Sequence, residues 1–496
     1  MTAFISFLMR SALTVNQLPL YASLLLGLAL LSYAAVRACT VGFTHDESSS
    51  FMNLIHEPVA DLFFHPRNWQ AANNHLLNTL CMQIGHYFFG PEEWALRWGS
   101  LVGGLIYLIY AFRSVRLWLP TDAWWFFGAF CILTLHHFTL DFFSLARGYG
   151  LCLAFEMAAL FYFFRWIKRE VTLDLLKAGC ALGLGILANF TLLDFMAAFL
   201  ATVTVVYYVK SKGRFSPQEW LRLMLWPALP LLATLLLIFQ PMRWISAQGE
   251  FEYGPQAFWE TWRVLVERFV YNPFPGALWY KVVVLLVATT LFAGLGYAIF
   301  KRYRSAGLQA SPTLFYATLL TVLTMLTTVA QHYLLGANYL SGRTAVLFYP
   351  LLATVVVLFL IDLKPRLPQA RLLWLLVCGG LAINFICQAN LRYALEWQYD
   401  ENTKAAVFFA NQQGDATHPV HYGVGWLFYS TTMFYQQTRA LHNVQTVAYN
   451  AGHDDLAWIR SRPFELILVE EKLQPQLEDS FAVLQRYPQA VIMRRK

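Results

Sequence analysis

Two carboxylates stand side by side, Asp46 and Glu47, in the stretch Phe43-Thr44-His45-Asp46-Glu47-Ser48-Ser49-Ser50, immediately after the first long apolar segment. Acids so near a membrane boundary are costly to hold against lipid and call for a hydrated or protein-lined pocket. A carboxylate kept in such a pocket can take a proton from a reacting hydroxyl. The competing reading is a solvated loop with two ordinary surface acids. What the rest of the chain places on the same side of the membrane discriminates between the two.

The 496 residues are 58% hydrophobic and only 13% charged. A soluble globular chain has roughly 25% charged residues, and repeated apolar runs near 20 residues match the length a helix needs to cross about 30 Å of hydrocarbon. The composition therefore predicts a polytopic membrane protein. The net charge of +7 is not a nucleic-acid signal, because the basic residues fall in short clusters between apolar runs, where topology selection puts them. Leu18 to Ala38 is too long for the apolar core of a cleavable signal and is expected to remain as the first span. The seven cysteines lie between Cys39 and Cys387, mostly inside apolar runs. That distribution argues against a disulfide framework and against a Cys-rich metal site.

Hydropathy and length predict about eleven spans, near 18–39, 95–117, 122–140, 149–166, 176–191, 193–209, 222–240, 281–300, 312–331, 344–361 and 371–389. Arg10, Arg113 with Arg116, Arg165 with Lys168 and Arg169, Lys210 with Lys212 and Arg214, Lys301 with Arg302 and Arg304, and Lys364 with Arg366 all fall in alternate connections. The positive-inside rule makes those connections cytoplasmic. The loop of Asp46 and Glu47, the turn around His136 to Arg147, the loop from Pro241 to Tyr280, the link from Gln331 to Arg343 and the C-terminal tail then share the outer face. The expected architecture is an all-α polytopic bundle over residues 1–390, with a first outer loop at 40–94 and a small α/β domain at 391–496.

In the first outer loop, apolar stripes at helical spacing predict amphipathic helices lying in the interface, with a short transmembrane hairpin as the alternative. The loop from Pro241 to Tyr280 is rich in Trp, Tyr and Phe, which fits interfacial anchoring or a lid. In the tail, Ala406 to Asn411 fits the end of a helix, Trp426 to Tyr429 and Leu466 to Val469 fit short buried strands, and Asp454 to Arg460 and Leu473 to Arg486 fit helices. Gly423-Val424-Gly425 is too brief for a nucleotide-binding signature.

Several motifs fall in order along this topology. They are Asp46-Glu47 after the first span, Asn73-Asn74-His75-Leu76 followed by Phe89-Gly90-Pro91-Glu92-Glu93-Trp94-Ala95-Leu96-Arg97-Trp98, Leu145-Ala146-Arg147-Gly148-Tyr149-Gly150-Leu151, and Ser341-Gly342-Arg343 before Tyr349-Pro350. Together they resemble the polyprenyl-phosphate-sugar-dependent glycosyltransferases of the GT-C class, in the bacterial branch of protein O-mannosyltransferases and lipid A aminoarabinose transferases. The match spans the membrane region and is strongest over the first 170 residues. The resemblance implies an inverting transfer of one sugar, on the outer face of a bacterial inner membrane, from a polyprenyl-phosphate-linked donor to a hydroxyl of a glycan, lipid or protein acceptor. It also implies that Asp46 is the general base. The chain departs from the family twice: the usual His-Pro-Pro-type element reads Asn74-His75-Leu76-Leu77, and the acidic residue that often precedes Ala-Arg is Leu145.

Glycosyl transfer passes through an oxocarbenium-like state in which the leaving oxygen gains negative charge while the attacking hydroxyl loses its proton. The reaction needs a base and a cation. Asp46 is the expected base, with Glu47 either catalytic beside it or orienting the loop. Arg147 and Arg343 stand at the outer ends of predicted spans, apart from the cytoplasmic clusters, and a guanidinium fork suits phosphate oxygens; snorkelling to the interface is the alternative for each. His75 and Tyr149 are expected substrate contacts, Arg97 a structural residue, and Asp141 a weaker candidate for a second acid. His45, His75, His136, His137 and His332 have no spacing diagnostic of a metal, and a monophosphate donor does not demand one, so no metal and no cofactor is expected. A transporter or lipid flippase is the rival from another class, and an envelope glycan polymerase or ligase the nearer enzymatic one.

Overall fold

The computed structural model of the protein describes residues 17–64, 74–120, 122–250, 254–271, 296, 312–364, 370–449 and 456–496. It is mostly helical, with one small sheet near the C-terminus. Among the described residues, seven helices are long and apolar enough to cross a membrane: Leu18–Thr40, Trp98–Trp118, Gly148–Arg169, Leu192–Lys210, Pro217–Ala247, Thr313–Leu335 and Arg371–Gln388. A helix satisfies its own backbone polar groups, which is what a span in hydrocarbon requires. The chain is a multi-pass membrane protein.

Three more predicted spans are shorter helices. The 122–140 segment is broken into Ala123–Thr134 and His137–Asp141. His136 caps the second piece, its Nδ1 accepting the Thr139 backbone N–H at 3.2 Å, so a polar side chain restarts the helix where one span was expected. Leu173–Ala188 and Phe348–Leu363 have 16 residues each. The span expected at 281–300 lies, apart from Gly296, outside the described residues.

The segment after the first span, expected to form the first outer loop, is built of short helices, His45–Leu54, Val59–Phe63, Leu76–Phe89 and Glu93–Leu96. The longest has 14 residues, too few for one arm of a transmembrane hairpin, since crossing takes about 20. Of the aromatic outer loop, the Phe258–Phe269 helix turns part of its aromatic face inward: the Trp262 ring lies 5.4 Å from that of Phe348, and the Tyr349 hydroxyl donates to the Leu265 carbonyl at 2.7 Å.

The C-terminal region holds a five-stranded mixed sheet in the order β2-β1-β3-β5-β4, with β1 Val420–Gly425, β2 Val444–Tyr449, β3 Leu466–Glu470, β4 Phe481–Arg486 and β5 Ala490–Arg495. β1 runs parallel to β2 and β3, while β5 is antiparallel to β3 and β4. Two expectations fail here. Trp426 to Tyr429 opens the helix Trp426–Thr438 rather than forming a strand, because its apolar face continues at helical spacing through Phe428, Thr431, Thr432 and Tyr435, all buried. Leu473 to Arg486 is not a helix: a 3-10 turn over Glu471–Gln476 contains Pro475, and Phe481–Arg486 pairs with β5.

The sheet region is packed onto the first outer loop. Phe43, Phe51, Ile55, Met82, Leu96 and Ala146 share one hydrophobic cluster with Val407, Tyr422, Phe434, Tyr435 and Ile492. The Phe434 ring stacks on Phe43 with centroids 4.3 Å apart and meets Phe51 edge-on at 5.0 Å.

Candidate active site

The helix His45–Leu54 places both acids in its first turn, where the positive end of the helix dipole favours negative charge. Consecutive residues on a helix point about 100° apart, so the two carboxylates face different surroundings. Glu47 turns into the protein. Its oxygens accept from Arg97 Nε at 2.8 Å and Arg97 Nη2 at 2.7 Å, from the Thr44 backbone N–H at 2.9 Å and from the Ala146 backbone N–H. Arg97 spends its remaining donors on the carbonyls of Ala38, Val41 and Gly42 at the end of the first span. Both side chains are fully buried.

Asp46 faces the other way, toward two arginines. Its Oδ2 lies 3.5 Å from Arg147 Nη2 and 3.1 Å from Arg343 Nη2. Arg147 also donates to the Ser50 hydroxyl at 3.3 Å. Three segments about 100 and 200 residues apart in the sequence thus bring one carboxylate and two guanidinium groups together.

Glycines make these approaches possible. Arg147 precedes Gly148, where a Cβ would stand 1.9 Å from the Ala188 carbonyl oxygen and 2.7 Å from the His75 Cβ. Any side chain there would push His75 off the start of the Gly148–Arg169 helix. Gly342 has φ +53°, a left-handed conformation that suits glycine, and its missing Cβ would lie 2.8 Å from Glu396 Oε1. The turn so formed delivers Arg343, whose guanidinium sits 5.0 Å above the buried Trp397 ring.

His75 and Tyr149 border the same group. Their rings meet edge-on at 5.0 Å, and the Arg147 guanidinium lies 6.0 Å from the Tyr149 ring centre. Burial, together with the charges of Arg147 and Arg343, holds His75 well below the usual histidine range, against an opposing pull from Asp46 and a hydrogen bond to the Ala188 backbone. The imidazole is therefore neutral. Its buried Nε2 makes no hydrogen bond among the described residues.

The C-terminal region packs against the helix that carries Asp46 and the residues beside it, which the sequence did not signal. The Tyr435 hydroxyl accepts the Phe43 backbone N–H at 2.7 Å and donates to Glu93, which also accepts Lys404 at 2.8 Å. His45 is hydrogen-bonded to the Leu427 carbonyl at 2.9 Å, and the Ser48 hydroxyl donates to Thr431 at 3.5 Å. Asp400 accepts the hydroxyls of Thr403 and Thr431. Trp397, Asp400, Thr431 and Tyr435 carry no motif; only the fold brings them here.

Other candidates lie elsewhere. Asp141 is locked by Arg37 at 2.6 Å, by the Tyr271 hydroxyl at 2.9 Å and by the Leu395 backbone N–H at 3.0 Å. His136 packs on Tyr349, His137 is hydrogen-bonded to the Tyr33 hydroxyl, and His332 to the Ala337 carbonyl. Among the described residues no group of three or more His, Cys, Asp or Glu side chains is arranged to hold a metal ion.

No protein-family model matches the chain, and no curated protein does. Among solved structures, ArnT from Cupriavidus metallidurans bound to undecaprenyl phosphate aligns with a TM-score of 0.55 over 97% of this chain and 98% of that one, at 12% identity. The apo state of the same protein aligns at 0.53 over 95% and 97%, at 14% identity. The chain has the GT-C glycosyltransferase fold. An oligosaccharyltransferase from Archaeoglobus fulgidus aligns more distantly, at 0.44 and 12% identity over 95% of this chain and 74% of that one.

Proposed function

We propose that the protein is an inverting glycosyltransferase that moves one sugar from a polyprenyl-phosphate donor to an acceptor hydroxyl on the outer face of a bacterial inner membrane. In this reading the bundle has about eleven spans, the helices of the first outer loop lie in the interface, and the C-terminal domain faces the periplasm. The observation that carries the proposal is the meeting of Asp46 with Arg147 and Arg343.

The chemistry follows from what each group can do. Arg147 and Arg343 lie against Asp46; a donor phosphate would share both forks and draw positive charge toward the leaving oxygen. The bond from the anomeric carbon to the phosphate oxygen breaks as the bond from that carbon to the acceptor oxygen forms on the opposite face. The acceptor proton passes to Asp46, late and in concert with bond formation, because a hydroxyl is a very weak acid. Polyprenyl monophosphate leaves, and Asp46 returns its proton to water. Neutral His75 offers Nε2 to a sugar hydroxyl, with Tyr149 beside it. Glu47 is a positioning residue: through Arg97 it fixes the turn that aims Asp46.

The test is transfer of radiolabelled sugar from polyprenyl-phosphate donors to envelope glycan, lipid and peptide acceptors by the purified protein. Labelled product with inverted anomeric configuration is expected. Absence of transfer with every donor, together with movement of the intact lipid across the bilayer, would replace the transferase with a flippase.

A further inference from the structure

A polar concavity is lined by none of the residues gathered at Asp46. It is an open cleft of about 750 Å³ at the junction of three regions: Thr40 at the end of the first span, Leu391 and Arg392 just after the last, and the segment from Glu401 to Phe408 that enters the C-terminal domain. None of Asp46, His75, Arg147 or Arg343 lines it.

Its charges are of both signs. Arg392 is exposed and has no ion-pair partner among the described residues, Lys404 shares its charge with Glu93 at 2.8 Å, and Glu401 lines the same cleft. The cleft opens where two membrane-spanning helices end, so whatever fills it stands at head-group depth. Below it the last span packs on the bundle through Trp374 and Phe385 and presents Leu372, Leu376, Ile383 and Ile386 outward, an apolar track for acyl chains.

We propose that this cleft holds the head group of a zwitterionic phospholipid carrying a primary ammonium. The phosphate lies against Arg392 and Lys404, and the ammonium against Glu401. A cation pair alone would suit any anionic lipid; the carboxylate among them selects a head group of both signs. A quaternary ammonium has no N–H to donate to Glu401 and is disfavoured.

Native mass spectrometry of the full-length protein, exchanged into equal mixtures of phosphatidylethanolamine, phosphatidylglycerol and phosphatidylcholine, tests this. Retention of phosphatidylethanolamine at least several-fold above the other two is expected, with the preference lost in Glu401→Gln and retention of all phospholipids reduced in Arg392→Ala. Equal retention of the three lipids, or a preference unchanged in both variants, overturns the proposal. Soluble phosphoethanolamine at millimolar concentration should not displace the lipid; displacement would make this a site for a soluble phosphate ester and overturn the lipid assignment. The readout is lipid retention in a cleft that excludes Asp46, so its failure leaves the transferase reading standing, and the reverse holds too.

Discussion

Asp46 and Glu47 are neighbours in sequence and opposites in setting. Glu47 has a bidentate arginine and two backbone N–H groups, all within one fully buried knot. Asp46 meets two arginines from different parts of the chain, at the longer separations of 3.1 and 3.5 Å, and one of them, Arg343, keeps about a third of its side chain exposed. Asp141 with Arg37 repeats the closed pattern. A closed carboxylate–arginine knot holds a fold together. A carboxylate gathering cations from separate segments, at the mouth of a partly open group, has the makings of a reaction centre.

The sharpest way to break that contrast is to remove the cations around Asp46. Replacing Arg147 and Arg343 together by Ala is expected to lower transfer by roughly 10³-fold, as removal of charge-stabilising donors does, measured as initial rate at saturating acceptor. Breaking the other knot should act on stability instead. Glu47→Gln leaves Arg97 charged and buried without its partner, and loss of one partner of a buried pair costs about 3–5 kcal/mol. A large drop in melting temperature, with the rate per folded molecule kept within several-fold, is the expected result. Should Glu47→Gln abolish transfer while melting like the native protein, the division of labour between the two acids is wrong.

Arg343→Lys sharpens the phosphate assignment. A lysine keeps the charge but loses the planar fork, and a donor KM raised about tenfold, near 1.4 kcal/mol, is expected with little change in acceptor KM. The smallest effect concerns the C-terminal contact. Burial raises the Asp400 carboxyl from 3.8 to about 7, against hydrogen bonds from Thr403, Thr431 and the His45 backbone N–H. A carboxyl raised on folding binds its proton more tightly in the folded state. The stability it contributes is full below 3.8 and is lost as pH climbs through about 7. Asp400→Asn should flatten that part of the melting-temperature profile against pH; an unchanged slope would place its origin elsewhere.

The convergence of Asp46, Arg147 and Arg343 was legible because each stands where an apolar run ends on the same side, and sidedness can be read from the placement of Lys and Arg. The split between Asp46 and Glu47 was not, because it depends on Arg97 arriving from 50 residues away to claim one of them. The break at Leu135 and the helix opening at Trp426 escaped for a different reason: short apolar runs do not carry enough periodicity to fix their secondary structure. The role of the C-terminal region is purely tertiary. Tyr435 and Asp400 acquire their meaning only when the Trp426–Thr438 helix lies against His45–Leu54.

The central claim is that Asp46 accepts the acceptor's proton while the two arginines hold the phosphate. Single-turnover transfer by Asp46→Asn, measured with donor already bound, tests it most directly. A rate at least about 100-fold below native is expected, in line with loss of a general base, with donor affinity and melting temperature close to native. A native rate in this variant would contradict it.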